Sequence, residues 1–392
     1  MHQRIIKKRH IFYLSGFDPR GARYYYNLYK QQSLSQCKID GTKVHISPRK
    51  RLTEHSVGWT IDSNSNNKDT RTYYEFLEWN DIIRNHWETN IFLLLGETFS
   101  FFFHYLFNGV LFITGKTSPR QLITILYPAI YILFSYLLAV ILFTITVMTL
   151  QDTLSLWINL IIGGTLTYLF LKLSEYIAKR IGVFWLLHIY TFANNYAKNK
   201  TIAMEKRLQF FSDRVINIMK DAEDNGINEV LFVSHSVGTF LGVSILNNAI
   251  NNKNIPRQSW DVFSNLTLGE CIPLVSYHKQ AKYFRNEMQS LISHQNITWI
   301  DYTSPSDGAC FPLVDFIQTS GIQTAKQKNP IFLSPRFHTL FTEKSYKKIR
   351  KDWQKAHFLY LLATEVSTGY NYFHITSGNK SLFNRIQKKE NA

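Results

Sequence analysis

The segment 121–171 constrains the fold most strongly, because Asp152 is the only charged residue among its 51 residues, which include no His. Residues 122–150 are almost unbroken apolar sequence, and residues 154–171 add 18 more. A helix needs about 20 apolar residues to cross a bilayer, whereas the average helix of a soluble domain has about 11 or 12 residues. We therefore expect a transmembrane helical hairpin over 121–172, with its polar turn around Asp152.

Basic residues flank this hairpin on both sides, while its turn carries none. They are Lys116 and Arg120 before it, and Lys172, Lys179 and Arg180 after it. Because cytoplasmic segments next to membrane helices are enriched in Lys and Arg, we expect both ends of the hairpin in the cytoplasm and its turn on the other side of the membrane.

The segment before the hairpin is also apolar, and residues 91–114 are long enough to form a third span. Four polar residues, however, recur along it at spacings of three and four: Glu97, Ser100, His104 and Asn108. This spacing draws a narrow polar stripe along a helix, a pattern that favours a helix lying in the membrane interface. We expect an interfacial amphipathic helix over 91–120 and a juxtamembrane helix over 173–200.

The charge composition indicates an anionic partner, since 44 Lys and Arg against 28 Asp and Glu give a net charge of +16. The basic residues are dispersed, and we find no helix-turn-helix, zinc or RNA-binding signature, so we expect the membrane lipid bilayer rather than nucleic acid as partner. Cys37, Cys271 and Cys310 have no CxxC or Cys/His spacing, so we expect no disulfide framework, metal or cofactor. The apolar run 11–14 is too short for the core of a signal peptide.

Outside these segments, residues 1–90 and 201–392 alternate short β-rich runs with amphipathic helices. The expected strands are 10–14, 43–47, 57–61, 71–79, 229–233, 264–268, 298–302 and 331–333, and the expected helices are 201–224, 279–293 and 343–364. This alternation predicts an α/β fold with a mostly parallel sheet and helices on both faces, interrupted by the membrane hairpin.

A candidate nucleophile lies in Ser234-His235-Ser236-Val237-Gly238, between the expected strand 229–233 and an apolar helix. A nucleophile elbow is a tight strand-to-helix turn that needs small residues two positions before and after the central residue. Gly238 meets this requirement, and Ser234 stands where the motif has glycine but is still small. The pattern predicts Ser236 as a nucleophile, with a purely structural turn as the alternative, and it predicts that His235 is packed.

On this motif the chain resembles the α/β-hydrolase fold, with Ser236 in the place of the nucleophile. The resemblance covers roughly 1–90 and 201–365. The early segment FYLSGFDPRGARYY is also similar to that of uncharacterised bacterial membrane-associated proteins predicted to be hydrolases. The resemblance implies a bacterial inner-membrane protein whose catalytic domain faces the cytoplasm.

The order of the fold, nucleophile then acid then histidine, implies where the partners of Ser236 lie. Asp307 follows the expected strand 298–302 and is the first choice for the acid, with Asp301 and Glu270 as alternatives. His338 follows the expected strand 331–333 and is the first choice for the base. The competitor is His357, inside the expected helix 343–364.

The same resemblance implies an oxyanion hole made by the backbone N–H of Val237 and by one from Gly16 or Phe17, in the loop after the first strand. Asp18, Arg20 and the tyrosines at 24–26 could line the pocket. If residue 17 and residue 236 build one site, the chain must cross the membrane an even number of times.

Together these features predict a membrane-anchored serine hydrolase of the esterase, lipase or thioesterase type. It would act on an acyl ester or thioester of a lipid or small molecule, through an acyl-enzyme on Ser236. An acyltransferase that uses the same serine, and a non-catalytic membrane scaffold, are the alternatives.

Overall fold

A computed structural model of the chain describes residues 5–65, 68–199, 201–252, 255–294, 296–323 and 329–385. The expected segments 1–90, 173–200 and 201–392 each include residues outside these ranges. The strands are β1 Lys8–Leu14, β2 Lys43–Ile46, β3 Lys50–Thr53, β4 Ser56–Ser65, β5 Lys68–Leu77, β6 Glu229–His235, β7 Phe263–Leu268, β8 Thr298–Tyr302 and β9 Ile331–Leu333.

Helices of very different lengths lie between these strands. They are α1 Gly21–Asp40, α2 Asn80–Asn85, α3 Ile91–Phe107, α4 Val110–Thr117, α5 Pro119–Leu150, α6 Leu156–Arg180, α7 Val183–Ala197, α8 Ile202–Lys220, α9 Gly238–Ile250, α10 Pro273–Ser276, α11 Lys282–Ser293, α12 Phe316–Thr319, α13 Glu343–Lys351, α14 Trp353–Phe358 and α15 Tyr372–Ser377.

All nine of these described strands belong to one sheet in the order β2-β4-β5-β1-β6-β7-β8-β9, and β3 pairs with the same edge of β4 as β2, nearer the start of β4. The run from β5 to β9 is parallel, and β4 is antiparallel to its neighbours β2, β3 and β5. The expectation of a mixed α/β fold with a mostly parallel sheet is confirmed. The carboxyl ends of the parallel strands therefore meet at one edge, where binding sites of such sheets form.

Helices cover both faces of the central strands. On one face, the ring of Tyr13 in β1 lies 5.8 Å from that of Phe76, and Tyr25 of α1 packs 5.0 Å from Phe76. On the other face, Phe232 of β6 packs toward Gly242 of α9. Every residue of β6 is buried. This explains why its sequence is a mostly apolar run and does not alternate between apolar and polar residues.

The chain divides into two compact units. The sheet unit comprises Met1–Asn85, Asn199–Tyr277 and Ala281–Ala392, and the hairpin unit comprises His86–Lys198 with His278–Gln280. The sheet unit thus takes its strands from both sides of the inserted hairpin unit, since β1 and β5 precede the insertion and β6 follows it.

Within the hairpin unit, α5 and α6 are long and apolar enough to cross a membrane. The two helices pack as an antiparallel pair, in which Tyr131 Oη donates to Ser174 O at 3.0 Å and Asn159 Nδ2 donates to Val147 O at 2.7 Å. Their outward faces expose large apolar side chains along their length, among them Phe134, Ile145, Trp157 and Leu169. This exterior fits a membrane protein.

The segment expected to be one amphipathic helix over 91–120 is instead two helices, α3 and α4, bent by 68°. The bend falls at Asn108 and Gly109, and Gly109 has a φ of +81°, a left-handed conformation that glycine adopts without strain. Counted as one broken span, this pair would raise the number of candidate spans in the described residues to three. Its position in a bilayer stays a prediction.

Two other expected helices also differ from the structure. The segment 173–200 is divided between the end of α6 and α7. The segment 343–364 is divided into α13 and α14, followed by a turn of 3₁₀ helix over Leu359–Leu361. The break lies at Asp352, whose backbone is extended and whose side chain accepts a hydrogen bond from Lys355 N as the N-cap of α14.

Candidate functional site

Ser236 occupies a sharp turn between β6 and α9. Its φ is +57°, in the left-handed region that costs a residue with a side chain about 1–2 kcal/mol. The turn is held from both sides, because Ser236 N donates to Leu268 O at 3.0 Å and Thr239 Oγ1 donates to Ser236 O at 2.6 Å. Backbone strain of this kind concentrates at functional sites, where the surroundings enforce it.

Small residues around Ser236 make this turn possible. A Cβ at Gly238 would lie 2.6 Å from Leu14 O and 2.7 Å from Ser15 O, so only glycine lets α9 start so close to the end of β1. A Cβ at Gly242 would lie 3.4 Å from Ser234 Oγ. The serine that replaces the usual glycine at 234 is therefore accommodated against a glycine one turn into α9.

The structure brings Asp307 and His357 together at the same edge of the sheet. His357 Nδ1 lies 2.9 Å from both carboxylate oxygens of Asp307, and both side chains are buried. A carboxylate only accepts hydrogen bonds, so Nδ1 carries a proton, and in the neutral ring Nε2 is then the basic nitrogen. This is the arrangement that a serine hydrolase requires of its acid and base.

The environment keeps Asp307 ionised despite its burial. Burial by itself would raise its pKa, but the charge of His357 and the hydrogen bonds from His357 and from Ala309 N at 2.9 Å lower the pKa below its ordinary value. A carboxylate held ionised in a buried site can stabilise an imidazolium as it forms.

The two alternative acids lack this property. Asp301 lies in β8, where its Oδ1 accepts from Thr267 Oγ1 at 2.6 Å and burial raises its pKa. Glu270 accepts from Ile272 N at 2.7 Å, and burial, together with the charge of Asp301, raises its pKa well above the ordinary value. Burial therefore shifts both carboxyl groups toward the neutral form, which stabilises an imidazolium less than an ionised carboxylate does.

His338, expected as the base, does not meet Asp307. It lies in a short 3₁₀ helix over Phe337–Thr339, where its side chain is exposed and its ring centroid is 6.5 Å from that of Tyr346. The pairing of Asp307 with His338 is thus replaced by the pairing with the competitor His357. The physical reason is burial: the chain breaks at Asp352, α14 starts there, and His357 is buried in the last turn of α14 whereas His338 is exposed.

The loop after β1 lies against Ser236, as the expected oxyanion hole requires. A Cβ at Gly16 would lie 3.1 Å from Ser236 Oγ, and Trp79 Nε1 donates to Ser15 O at 3.1 Å, which anchors this loop. Within the described ranges, Val237 N donates no hydrogen bond. Phe17 is buried beside Trp79, with ring centroids 5.9 Å apart. The roles of Val237, Gly16 and Phe17 as donors stay a prediction.

Most of the residues named as possible pocket lining form a cluster beside this loop, whereas Tyr26 Oη donates to Ser47 O at 3.1 Å. Asp18 is buried, accepts from Tyr25 Oη at 2.9 Å and pairs with Arg20, whose Nη2 lies 2.6 Å from its Oδ2. The guanidinium of Arg20 also lies 3.7 Å from the ring centroid of Tyr24 and 5.0 Å from that of Phe358. Arg20 therefore bridges the loop after β1 and the residue that follows His357.

The site is closed in this conformation, since Ser236 is 3% exposed and His357 is 1% exposed. Ser236 Oγ lies 3.8 Å from Cys271 Sγ, and none of its hydrogen bonds in the described residues reaches a histidine nitrogen. Burial raises the pKa of the Cys271 thiol, so the thiol stays protonated and is a poor nucleophile. In this conformation the Ser236 hydroxyl is therefore almost closed off from solvent.

Two contacts of this site have no signal in the sequence. They are that of Cys271 Sγ with Ser236 Oγ and that of His235 Nε2 with the His357 backbone oxygen, since each joins segments that are distant along the chain. The described residues hold no group of three or more His, Cys, Asp or Glu side chains that could bind a metal ion.

Searches against protein-family models, curated proteins and solved structures find no match to this chain.

Proposed function

We propose that this protein is a membrane-anchored serine hydrolase that cleaves an acyl ester or thioester. The observation that carries the proposal is that a strained Ser236 and the buried Asp307–His357 pair lie at one edge of the sheet, linked by His235, whose Nε2 lies 3.0 Å from the His357 backbone oxygen. Left-handed backbone is uncommon at a residue with a side chain, and the carboxylate of Asp307 is kept ionised beside its histidine. Their occurrence within one cluster supports nucleophilic catalysis.

In this mechanism His357 Nε2 takes the proton of the Ser236 hydroxyl as Oγ attacks the acyl carbonyl. The Val237 N–H and an N–H of the Gly16–Phe17 loop stabilise the oxyanion, and Asp307 stabilises the imidazolium. The bond to the leaving oxygen or sulfur breaks as His357 returns the proton to it. Water then attacks the acyl-enzyme by the same route and releases the acid, whereas a different acceptor would make the protein an acyltransferase.

The membrane anchor is the α5–α6 hairpin. Because β1, β5 and β6 share one sheet although the hairpin unit separates them in sequence, the chain enters and leaves the membrane on the same side. An even number of crossings follows, which favours two spans over three. The flanking basic residues favour the cytoplasmic side for the sheet unit, and the tether favours an acyl substrate at a membrane surface.

One observation favours the second candidate, a non-catalytic scaffold. The Ser236 hydroxyl is buried and lies next to Cys271 Sγ rather than a histidine nitrogen. Hydrogen bonds of catalytic groups are often long before substrate binds, so reactivity has to be measured.

Labelling of the full-length protein in lipid vesicles with a fluorophosphonate probe makes this measurement. The probe forms an Oγ–P bond as fluoride leaves, and we expect the wild type to react and Ser236→Ala to lose all labelling. Ser234→Ala is the matched control and should react, since Ser234 lies in the strand face against Gly242.

The two histidines provide a second, independent comparison. His357→Ala should slow labelling by about 10²-fold or more, the usual contribution of a general base, while His338→Ala should react at the wild-type rate. A folded wild-type protein that does not react would favour the scaffold, and equal rates in the two histidine variants would contradict the assignment of the base.

A further inference from the structure

His235, the residue directly before Ser236, contacts the segment that carries His357. Its Nε2 lies 3.0 Å from the backbone oxygen of His357, and the two imidazole centroids are 4.7 Å apart. His235 is 1% exposed. One residue therefore links the backbone next to the nucleophile with the backbone of the histidine proposed as base.

The chemistry of this contact defines the protonation of His235. A carbonyl oxygen only accepts hydrogen bonds, so Nε2 is the protonated nitrogen of His235. Burial, followed by the nearby charge of His357, lowers the pKa of His235 to about 3, while the charge of Asp307 acts in the opposite direction. At neutral pH the ring is an uncharged donor, which does not compete with His357 for a proton.

The contact also meets a need of the short helix α14. The last carbonyl groups of a helix have no partner within it, and His357 lies in the final turn of α14, next to its end. The donor from His235 satisfies the His357 carbonyl at the point where the chain leaves the helix. Asp307 holds the ring of the same residue through Nδ1.

We propose that His235 is a positioning residue, which sets the distance between Ser236 and His357 by holding the backbone of His357. The role rests on the proposed function, because it matters for catalysis only if Ser236 is the nucleophile. Since His235 and Ser236 are consecutive, one hydrogen bond couples the position of the base to that of the nucleophile. A displacement of about 1 Å between reacting groups can cost about 10²-fold in rate.

Two variants separate the hydrogen bond from simple packing. His235→Gln keeps an N–H donor at nearly the same distance from the backbone, whereas His235→Phe keeps a ring of similar size without the donor. In folded protein, measured by near-ultraviolet circular dichroism, we expect His235→Phe to label with fluorophosphonate roughly 10-fold to 100-fold more slowly. His235→Gln should stay within about threefold of the wild type.

The comparison uses the limiting rate of labelling and the probe concentration for half that rate, both followed across pH. A positioning role predicts a change in the limiting rate with little change in the half-saturating concentration. Equal limiting rates for His235→Phe and wild type would overturn the proposal. Equally slow rates for the Gln and Phe variants would also overturn it, since the donor would then be irrelevant.

A second readout does not depend on catalysis. In protein labelled with ¹⁵N-histidine, the His357 Nδ1 proton bound to Asp307 should give a slowly exchanging NMR signal in the wild type and His235→Gln. The signal should be lost in His235→Phe. If the wild type does not label but this pattern holds, the hydrolase proposal fails while the positioning contact stands. An unchanged signal in His235→Phe would contradict the contact itself.

Discussion

The close approach of α9 to the end of β1 leads to a prediction for Gly238→Ala. The added Cβ would lie 2.6 and 2.7 Å from the carbonyl oxygens of Leu14 and Ser15, whereas ordinary contact begins near 3.4 Å. Both oxygens belong to backbone at the end of β1, a strand paired on both sides, so neither can give way as a flexible side chain would.

The magnitude follows from two opposing effects. Overpacking of a rigid site costs about 1–3 kcal/mol, and two backbone clashes place Gly238→Ala near the upper end. Replacing a helical glycine by alanine returns about 0.5–1 kcal/mol. We therefore expect a net loss of about 2 kcal/mol in the free energy of unfolding of the sheet unit, which corresponds to a decrease in Tm of about 4 °C.

Thermal unfolding of the full-length protein in detergent, followed by tryptophan fluorescence, measures this effect. Gly242→Ala is the matched control in the same helix, because its Cβ would meet only side-chain atoms, at 3.0 Å from Phe232 and 3.4 Å from Ser234. It should lower Tm by less than half as much. If Gly238→Ala is as stable as Gly242→Ala, α9 does not start against β1, and the geometry of the turn at Ser236 is wrong.

Three further predictions concern other parts of the molecule. Ser236→Gly should be about 1 kcal/mol more stable than Ser236→Ala in the same assay, since both lack the hydroxyl but only glycine relieves the positive φ; equal stabilities would contradict the strain. Burial would raise the pKa of Glu75, but hydrogen bonds from a histidine and an arginine lower it from 4.5 to about 2. Glu75 therefore adds about 3 kcal/mol of stability above pH 4.5 that is lost as pH falls toward 2. Between pH 4.5 and pH 2 the free energy of unfolding should fall less steeply in Glu75→Gln than in the wild type. In a Cys37→Ser background, an impermeant maleimide should label Asp152→Cys and Lys355→Cys from opposite sides of sealed vesicles, and labelling from one side would exclude two full spans.

Local sequence patterns were sufficient to predict those helices and strands whose own residues carry a clear apolar or β-rich pattern. The apolar runs predicted α5 and α6, and the strands β8 and β9 have the bounds that the sequence predicts. In α5 and α6 the continuous apolar pattern is visible without any knowledge of neighbours, and β8 and β9 are short β-rich runs bounded by polar or turn residues. The position of Asp307 at this edge of the sheet was also predictable from local information, because residues directly after a parallel strand lie at the edge where sites form.

The choice between His338 and His357 needed the tertiary structure. Both histidines follow the last expected strand, so chain order permits either as the base. Because His357 lies inside an amphipathic pattern, the sequence predicts that it is a packed or surface residue of a helix. The break at Asp352 depends on a capping contact worth about 1 kcal/mol, which the surrounding pattern does not reveal. The contact of His235 with the His357 carbonyl joins positions 122 residues apart and leaves no local signal.

The sequence by itself determined the two long apolar helices, the mixed α/β character and the turn that carries Ser236, because the hydrophobic effect and backbone sterics act on neighbouring residues. The tertiary structure alone decided which histidine meets Asp307 and what lies against the Ser236 hydroxyl. Those contacts depend on how distant segments pack, and hydrogen bonds a few ångströms long are made or lost by shifts that no linear pattern encodes.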